Sequence, residues 1–292
     1  TFIESSLDAE TLRKFDDLKM IATRSTGFNH IDLEVCEDAD ITVSNVPTYG
    51  DNTVAEHVFG LLLTISHNLY AAVDRTRKGD FSRAGLQGFD LQGRTIAVIG
   101  TGSIGRHVIR MANGFAMSVV AHDVQEDEAF AREMGFEYKP LMEALPDADV
   151  VTLHTPLTDE TRHMISDEQF DAMKDGVVLI NTARGGLLDI RALMEALSNG
   201  KVSAAGLDVL PEEPSIREEA ELLRSMFDRD HDLETLLADH VLLRLRNVYI
   251  TPHSAFDTRE AVNRILETTV GNIEAFLRGE PRNVVAPKHA HV

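Results

Sequence analysis

Cysteine is almost missing from this 292-residue chain: the single Cys36 excludes an internal disulfide framework and suits a reducing, cytoplasmic setting. Basic residues are also sparse, 28 Lys and Arg against 48 Asp and Glu, which leaves a formal net charge of −20. That balance argues against binding nucleic acid or an anionic membrane through a broad positive face, whereas a small anion needs only one well-placed arginine. Long apolar runs are lacking too. The nearest, "GLLLTI" at 60–65, is far short of a membrane span, and no basic and apolar leader points to export. There are no internal repeats or low-complexity stretches. Nor is a metal centre expected: His57, His154 and His163 lack the spacing and carboxylate company of a ligand set, and His289 and His291 lie in the C-terminal tail.

What is present is a chain 43% hydrophobic and long enough for two domains. Short apolar runs, "KMIATRS", "ITVSN", "TIAVIG", "SVVAHD", "VVTLHTP", "GVVLINTARG", "AAGLDVL" and "VYITPHS", alternate with amphipathic segments. Each run stops at Gly, Pro, Asn, Asp or Ser, which predicts an α/β fold of parallel sheets covered by helices. In such sheets ligands collect where the C-terminal ends of strands open into loops. A long helix is expected from about Thr53 to Tyr70, with Asp51 and Asn52 as capping candidates and Val54, Val58, Leu61, Leu62, Ile65 and Leu69 as its buried stripe. The polar "RTRKGDFSRAGLQGFDLQG" after it reads as a passage between domains. Residues 1–70 with 259–292 then form one domain, and residues 71–258 the other.

The strongest local motif is "AVIGTGSIGRHV". Gly100, Gly102 and Gly105 follow a strand and open a helix: the first permits the tight turn, the second admits a pyrophosphate, and the third lets helix pack on strand. Asp123 ends the next strand, where a carboxylate hydrogen-bonds a ribose diol. With Glu126, Asp127 and Glu128 close behind, it repels a 2′-phosphate, which favours NAD over NADP. Three later strand ends carry Arg184, then Asp208 with Glu213, then His253. Singly these read as a surface cation, a solvated turn and a loop histidine. Together they are what reversible hydride transfer on a 2-hydroxy acid requires: a forked cation for a carboxylate, a histidine that titrates near neutrality, and a carboxylate beside it.

Across nearly its whole length the chain resembles the NAD-dependent D-isomer-specific 2-hydroxyacid dehydrogenases, through "RSTGFNHID", "NVPTYGDNTVAEH", "GTGSIG", "HTPLT", "NTARGG", "GLDVLPEEP" and "TPHSAF" in order. The resemblance implies two Rossmann-like or flavodoxin-like domains, with Arg184 binding substrate, Glu213 paired to histidine and His253 as acid/base. It further implies NAD contacts at Ser103, Ile104, Asp123, His154, Thr155, Pro156, Thr161, Thr182, Ala183 and Asp208, and a homodimer joined through the cofactor domains. The backbone of Ser25, Thr26 and Gly27 would take the substrate carboxylate. Tyr49, Phe256 and the length of the 215–246 segment lean towards the D-lactate branch and a small aliphatic substrate. Relatives acting on glyoxylate, hydroxypyruvate, 3-phosphoglycerate or branched 2-oxo acids stay open, as does a dinucleotide-sensing corepressor-like scaffold. Family members usually carry a further β-α-β portion of roughly fifty residues ahead of the strand matching "TFIES". The expected first domain therefore lacks its first strands.

Overall fold

The computed structural model describes residues 1–2, 5–28, 30–211 and 241–285. The chain forms two compact units, Thr1–Gly50 with Phe256–Val292, and Asp51–Ala255. In the larger unit, strands β3 (Thr95–Ile99), β4 (Ser118–His122), β5 (Glu137–Tyr138), β6 (Val150–Leu153), β7 (Val177–Asn181), β8 (Val202–Leu207) and β9 (Val248–Ile250) make one sheet. Its order is β5-β4-β3-β6-β7-β8-β9, and every pairing is parallel.

The side-chain period of two divides each central strand between two cores. Ala97, Ile99, Val151, Leu153 and Leu179 join the core under helices α7 (Leu141–Ala144), α8 (Asp167–Ala172) and α9 (Ile190–Ser198). Ile96, Val98, Val150, Val178 and Ile180 face the other way, towards α3 (Asp51–Ser66), α5 (Ser103–Gly114) and α6 (Glu128–Met134). Burial on both faces is why these strands read as continuous apolar runs and not as alternating ones.

The units divide at Gly50/Asp51 and Ala255/Phe256, which differs from the boundaries expected near residues 70 and 258. Helix α3 decides this: its Val58, Leu61, Leu62 and Ile65 are buried in the core shared with α5, β7 and β8. Each fully buried aliphatic side chain stabilises that packing by about 1.5–3 kcal/mol. The expected stripe does not reach Leu69, however. Asn68 takes a left-handed φ of 51°, the chain turns, and a separate helix α4 (Leu69–Arg77) begins with Leu69 exposed.

In the smaller unit, β1 (Met20–Ala22) pairs in parallel with β2 (Thr42–Ser44), beside α1 (Ala9–Leu12), α2 (Leu33–Asp38) and the closing helix α10 (Arg259–Leu277). Asn272 on α10 is fully buried; its Nδ2 donates to the Asn45 carbonyl at 2.8 Å and its Oδ1 accepts from Asn283 at 2.8 Å. Removing it strands buried polar groups. Asn272→Ala is therefore expected to cost about 1–3 kcal/mol, read as a lower urea midpoint at unchanged m-value.

Candidate active site

Because every strand of the larger sheet runs the same way, the segments that follow β3, β4, β6, β7, β8 and β9 open at one edge. That edge collects Gly100–Gly105, Asp123, His154–Pro156, Thr182–Arg184, Asp208 and His253. Chain order reverses at β3, which lies between β4 and β6, and the glycine turn sits at that switch point.

Each glycine there meets a different demand. Gly100 adopts φ +98°, and a Cβ on it would lie 2.7 Å from the His154 carbonyl carbon. A Cβ on Gly105 would lie 2.0 Å from the Gly100 oxygen, so only glycine lets α5 approach β3 this closely. A Cβ on Gly102 would meet nothing within 4 Å, so that position opens onto free space. No side chain caps α5, whereas Asp127 caps α6 and Asp189 caps α9. The first-turn amides of α5, at Ser103 and Ile104, are thus left for an anion such as a pyrophosphate. The buried Thr182 hydroxyl also lacks a partner among the described residues. These features fit a bound dinucleotide.

Asp123 accepts from the Thr101 backbone at 2.6 Å, the Thr101 hydroxyl at 3.0 Å and the Gln125 backbone at 2.9 Å. Burial opposes its charge, but the hydrogen bonds from Gln125 and Thr101, with His122 nearby, hold the carboxyl below its ordinary value. It is therefore ionised throughout the neutral range. Its contribution to stability is present above the unfolded value and fades only as pH falls through the lowered one. Arg106 is committed elsewhere, to Asp127 at 2.7 Å, to the Thr101 carbonyl at 3.2 Å and to the face of Phe130. We expect Asp123→Ala to weaken NADH about ten- to a hundredfold and to narrow the preference over NADPH, measured by fluorescence titration with each.

His154 hydrogen-bonds Thr152 at 2.9 Å, and burial pushes its pKa down to about 3, which favours the neutral ring. Thr155 donates to the Met164 sulfur at 3.4 Å. The Thr161 hydroxyl donates to the Pro156 carbonyl at 2.7 Å, which fixes the turn between them. Asn181 holds the next loop, accepting from Ala183 N at 3.0 Å and donating to the Arg184 carbonyl at 2.9 Å. Among the described residues the Arg184 guanidinium makes one hydrogen bond, from Nη1 to the Ala183 carbonyl at 2.7 Å, which leaves further donors for a carboxylate.

The carboxylate of Asp208 is 1% exposed and gathers the loop after β9 around itself. Oδ1 accepts from the Thr251 hydroxyl and from Ser254 N at 2.9 Å, and Oδ2 accepts from Ala255 N at 2.9 Å. His253, between these residues, stands at φ +51°, with its N–H shared between the Asp208 carbonyl at 3.0 Å and the Thr251 carbonyl at 2.9 Å. Glu213 and most of the 215–246 segment lie outside the described residues, as do His289 and His291.

In the smaller unit, Ser25 donates to the Gly27 carbonyl at 2.6 Å, and Asn45 Nδ2 donates to the Thr26 carbonyl at 2.8 Å. These bonds hold the turn, and among the described residues no acceptor takes the backbone N–H groups of Ser25, Thr26 and Gly27. The Tyr49 and Phe256 rings meet edge to face at 5.9 Å, and Phe2 lies 5.9 Å from Phe256. Phe2 has no sequence signal of its own; only the fold brings it to Phe256. The contact of His57 with Thr251 likewise has no signal in the sequence, because a helix histidine and a strand-end threonine announce no mutual contact. Among the described residues there is no group of His, Cys, Asp and Glu arranged for a metal ion, and no helix long and apolar enough to cross a membrane.

Residues 59–255 match the family model described as D-isomer specific 2-hydroxyacid dehydrogenase, NAD binding domain. The chain is 39% identical to the D-lactate dehydrogenase of Escherichia coli, over 93% of this chain and 79% of that one. It is 40% identical to an aromatic 2-oxoacid reductase of Clostridium sporogenes, over 94% and 81% respectively. A crystal structure of the Aquifex aeolicus D-lactate dehydrogenase, complexed with NAD and lactic acid, superposes with a TM-score of 0.84 at 40% identity, covering 96% of this chain and 82% of that one. The fold, the glycine turn and these matches together make the chain a member of the D-isomer-specific 2-hydroxyacid dehydrogenases, NAD-dependent oxidoreductases whose cofactor-binding domain it carries within residues 59–255.

Proposed function

We propose that the protein interconverts a small 2-oxo acid and its D-2-hydroxy acid with NAD(H), with pyruvate and D-lactate as the preferred pair. The observation that carries this reading is the sequence of adjacent strand ends on the cofactor-binding sheet, where Arg184 follows β7 and the Asp208-held loop of His253 follows β9. When bound, the nicotinamide supplies the hydride for C2 of the oxo acid and takes it back in the reverse direction. Arg184 binds the substrate carboxylate. His253 gives its proton to the carbonyl oxygen in reduction and removes it from the hydroxyl in oxidation, and Glu213 stabilises the imidazolium. Asp123 receives the ribose diol, and the first turn of α5 receives the pyrophosphate.

Tyr49 and Phe256, which the family resemblance associates with a small aliphatic substrate, meet edge to face and support such a substituent on C2. The 40% identity to an aromatic 2-oxoacid reductase supports the second reading, a bulkier substrate. Initial rates with NADH and pyruvate, glyoxylate, hydroxypyruvate, 2-oxoisocaproate and phenylpyruvate separate them. The highest kcat/KM is expected with pyruvate, and a clear preference for phenylpyruvate would replace the lactate assignment. The exposed run of Leu69, Tyr70, Val73 and Phe81 supports a homodimer joined at that face, which sedimentation equilibrium tests.

A further inference from the structure

We propose that His57 is a positioning residue for the acid/base loop, acting through the Thr251 hydroxyl and the Asp208 carboxylate. The inference rests on the reading of His253 as the proton-transfer residue. It starts from a proton count. A threonine hydroxyl carries one proton, and that of Thr251 goes to Asp208 Oδ1. The 3.0 Å contact between Thr251 Oγ1 and His57 Nε2 is then a hydrogen bond only if Nε2 carries a proton and donates it. The tautomer of His57 follows from the neighbour's stoichiometry: a directed chain runs from His57 Nε2–H to Thr251 Oγ1–H to Asp208 Oδ1.

The chain ends on the group that organises the loop. Asp208 is buried, and a buried carboxylate is costly unless it is fully hydrogen-bonded. It takes its bonds from Thr251 on one side of His253 and from Ser254 and Ala255 on the other. Among the described residues, His57 is the basic side chain within ion-pair reach of it, with Nε2 3.6 Å from Oδ1. The backbone at His253 needs such support, because φ +51° is a region that non-glycine residues seldom occupy. His57 itself stands on α3, whose apolar face is buried in the core beside β8. A rigid helix thereby aims one N–H at the hydroxyl that sets the carboxylate, and the carboxylate sets the loop.

The test compares His57→Leu, His57→Gln, Thr251→Val and the double variant His57→Leu/Thr251→Val. Glutamine places an amide N–H close to where Nε2–H stood. His57→Leu is expected to lower kcat with pyruvate about tenfold, the worth of one such hydrogen bond, while the Kd for NADH holds steady. His57→Gln should recover most of that rate. The double variant should be no slower than the slower single one, because both remove the same bond. Unchanged kcat in His57→Leu, failure of glutamine to rescue it, or additive losses would overturn the proposal, since a merely structural role lowers Tm and leaves that pattern unmade. A 15N–1H spectrum of the histidine side chains provides a check independent of turnover. A His57 signal from Nε2–H, absent in His57→Gln and shifted in Thr251→Val, is expected, and an Nδ1–H tautomer would overturn the hydrogen-bond chain. If the wild-type protein reduces no 2-oxo acid, the functional reading fails by itself, and the spectrum still decides the direction of the chain.

Discussion

Replacing His253 by alanine or asparagine is expected to reduce kcat by about a hundred- to ten-thousandfold, the usual worth of a positioned general acid/base. Two features make the substitution a clean test. The loop backbone is held by main-chain and Asp208 contacts: His253 N donates to two carbonyls, at 3.0 and 2.9 Å, and the flanking amides bind the carboxylate. Asparagine also tolerates the left-handed φ of +51° better than most residues, so the asparagine variant keeps the turn while removing the imidazole. NADH binding and Tm of the asparagine variant should therefore stay near wild type while turnover collapses. Turnover at the wild-type rate in either variant would remove His253 from the mechanism.

A second large effect is expected at the glycine turn, where two alanine substitutions should behave differently. Gly105→Ala places a methyl 2.0 Å from the backbone oxygen of Gly100, and backbone cannot move aside as a flexible side chain can. Helix α5 must lift from β3, at about 1–3 kcal/mol by the usual cost of overpacking, and its first-turn amides move with it. Tm and NADH affinity should fall together. Gly102→Ala meets nothing within 4 Å in the protein, and its φ of −64° suits an ordinary residue. That variant should melt like the wild type yet bind NADH at least about tenfold more weakly if, as proposed, the pyrophosphate lies against Gly102. Thermal denaturation beside fluorescence titration separates the two. Normal NADH binding by Gly102→Ala would place the phosphates elsewhere.

Legibility from sequence followed the range of the interactions involved. The parallel α/β architecture could be read because strands buried on both faces must be mainly apolar, as β6 and β7 are apart from Thr152 and Asn181. The glycine turn was legible for a similar reason: a left-handed φ at Gly100 and the tight approach at Gly105 are satisfied within a few residues of each other. Arg184, Asp208 and His253 were legible as polar residues at strand ends, and a parallel sheet brings all strand ends to one edge.

Other features depend on segments far apart in the chain. Helix α3 belongs with the larger unit because its stripe finds α5, β7 and β8, although its place in the sequence suggests the first domain. Leu69 looked like the next residue of that stripe, but a left-handed Asn68 ends the helix before it. Phe2 reaches Phe256, and His57 reaches Thr251, across most of the chain length. Local pattern therefore determined which residue types stand at each strand end and which turns only glycine can make, since steric and burial constraints act there over a few residues. Tertiary structure alone decided the unit boundary, the place of Phe2 beside Phe256 and the donor behind Asp208, since those depend on contacts that no local period encodes.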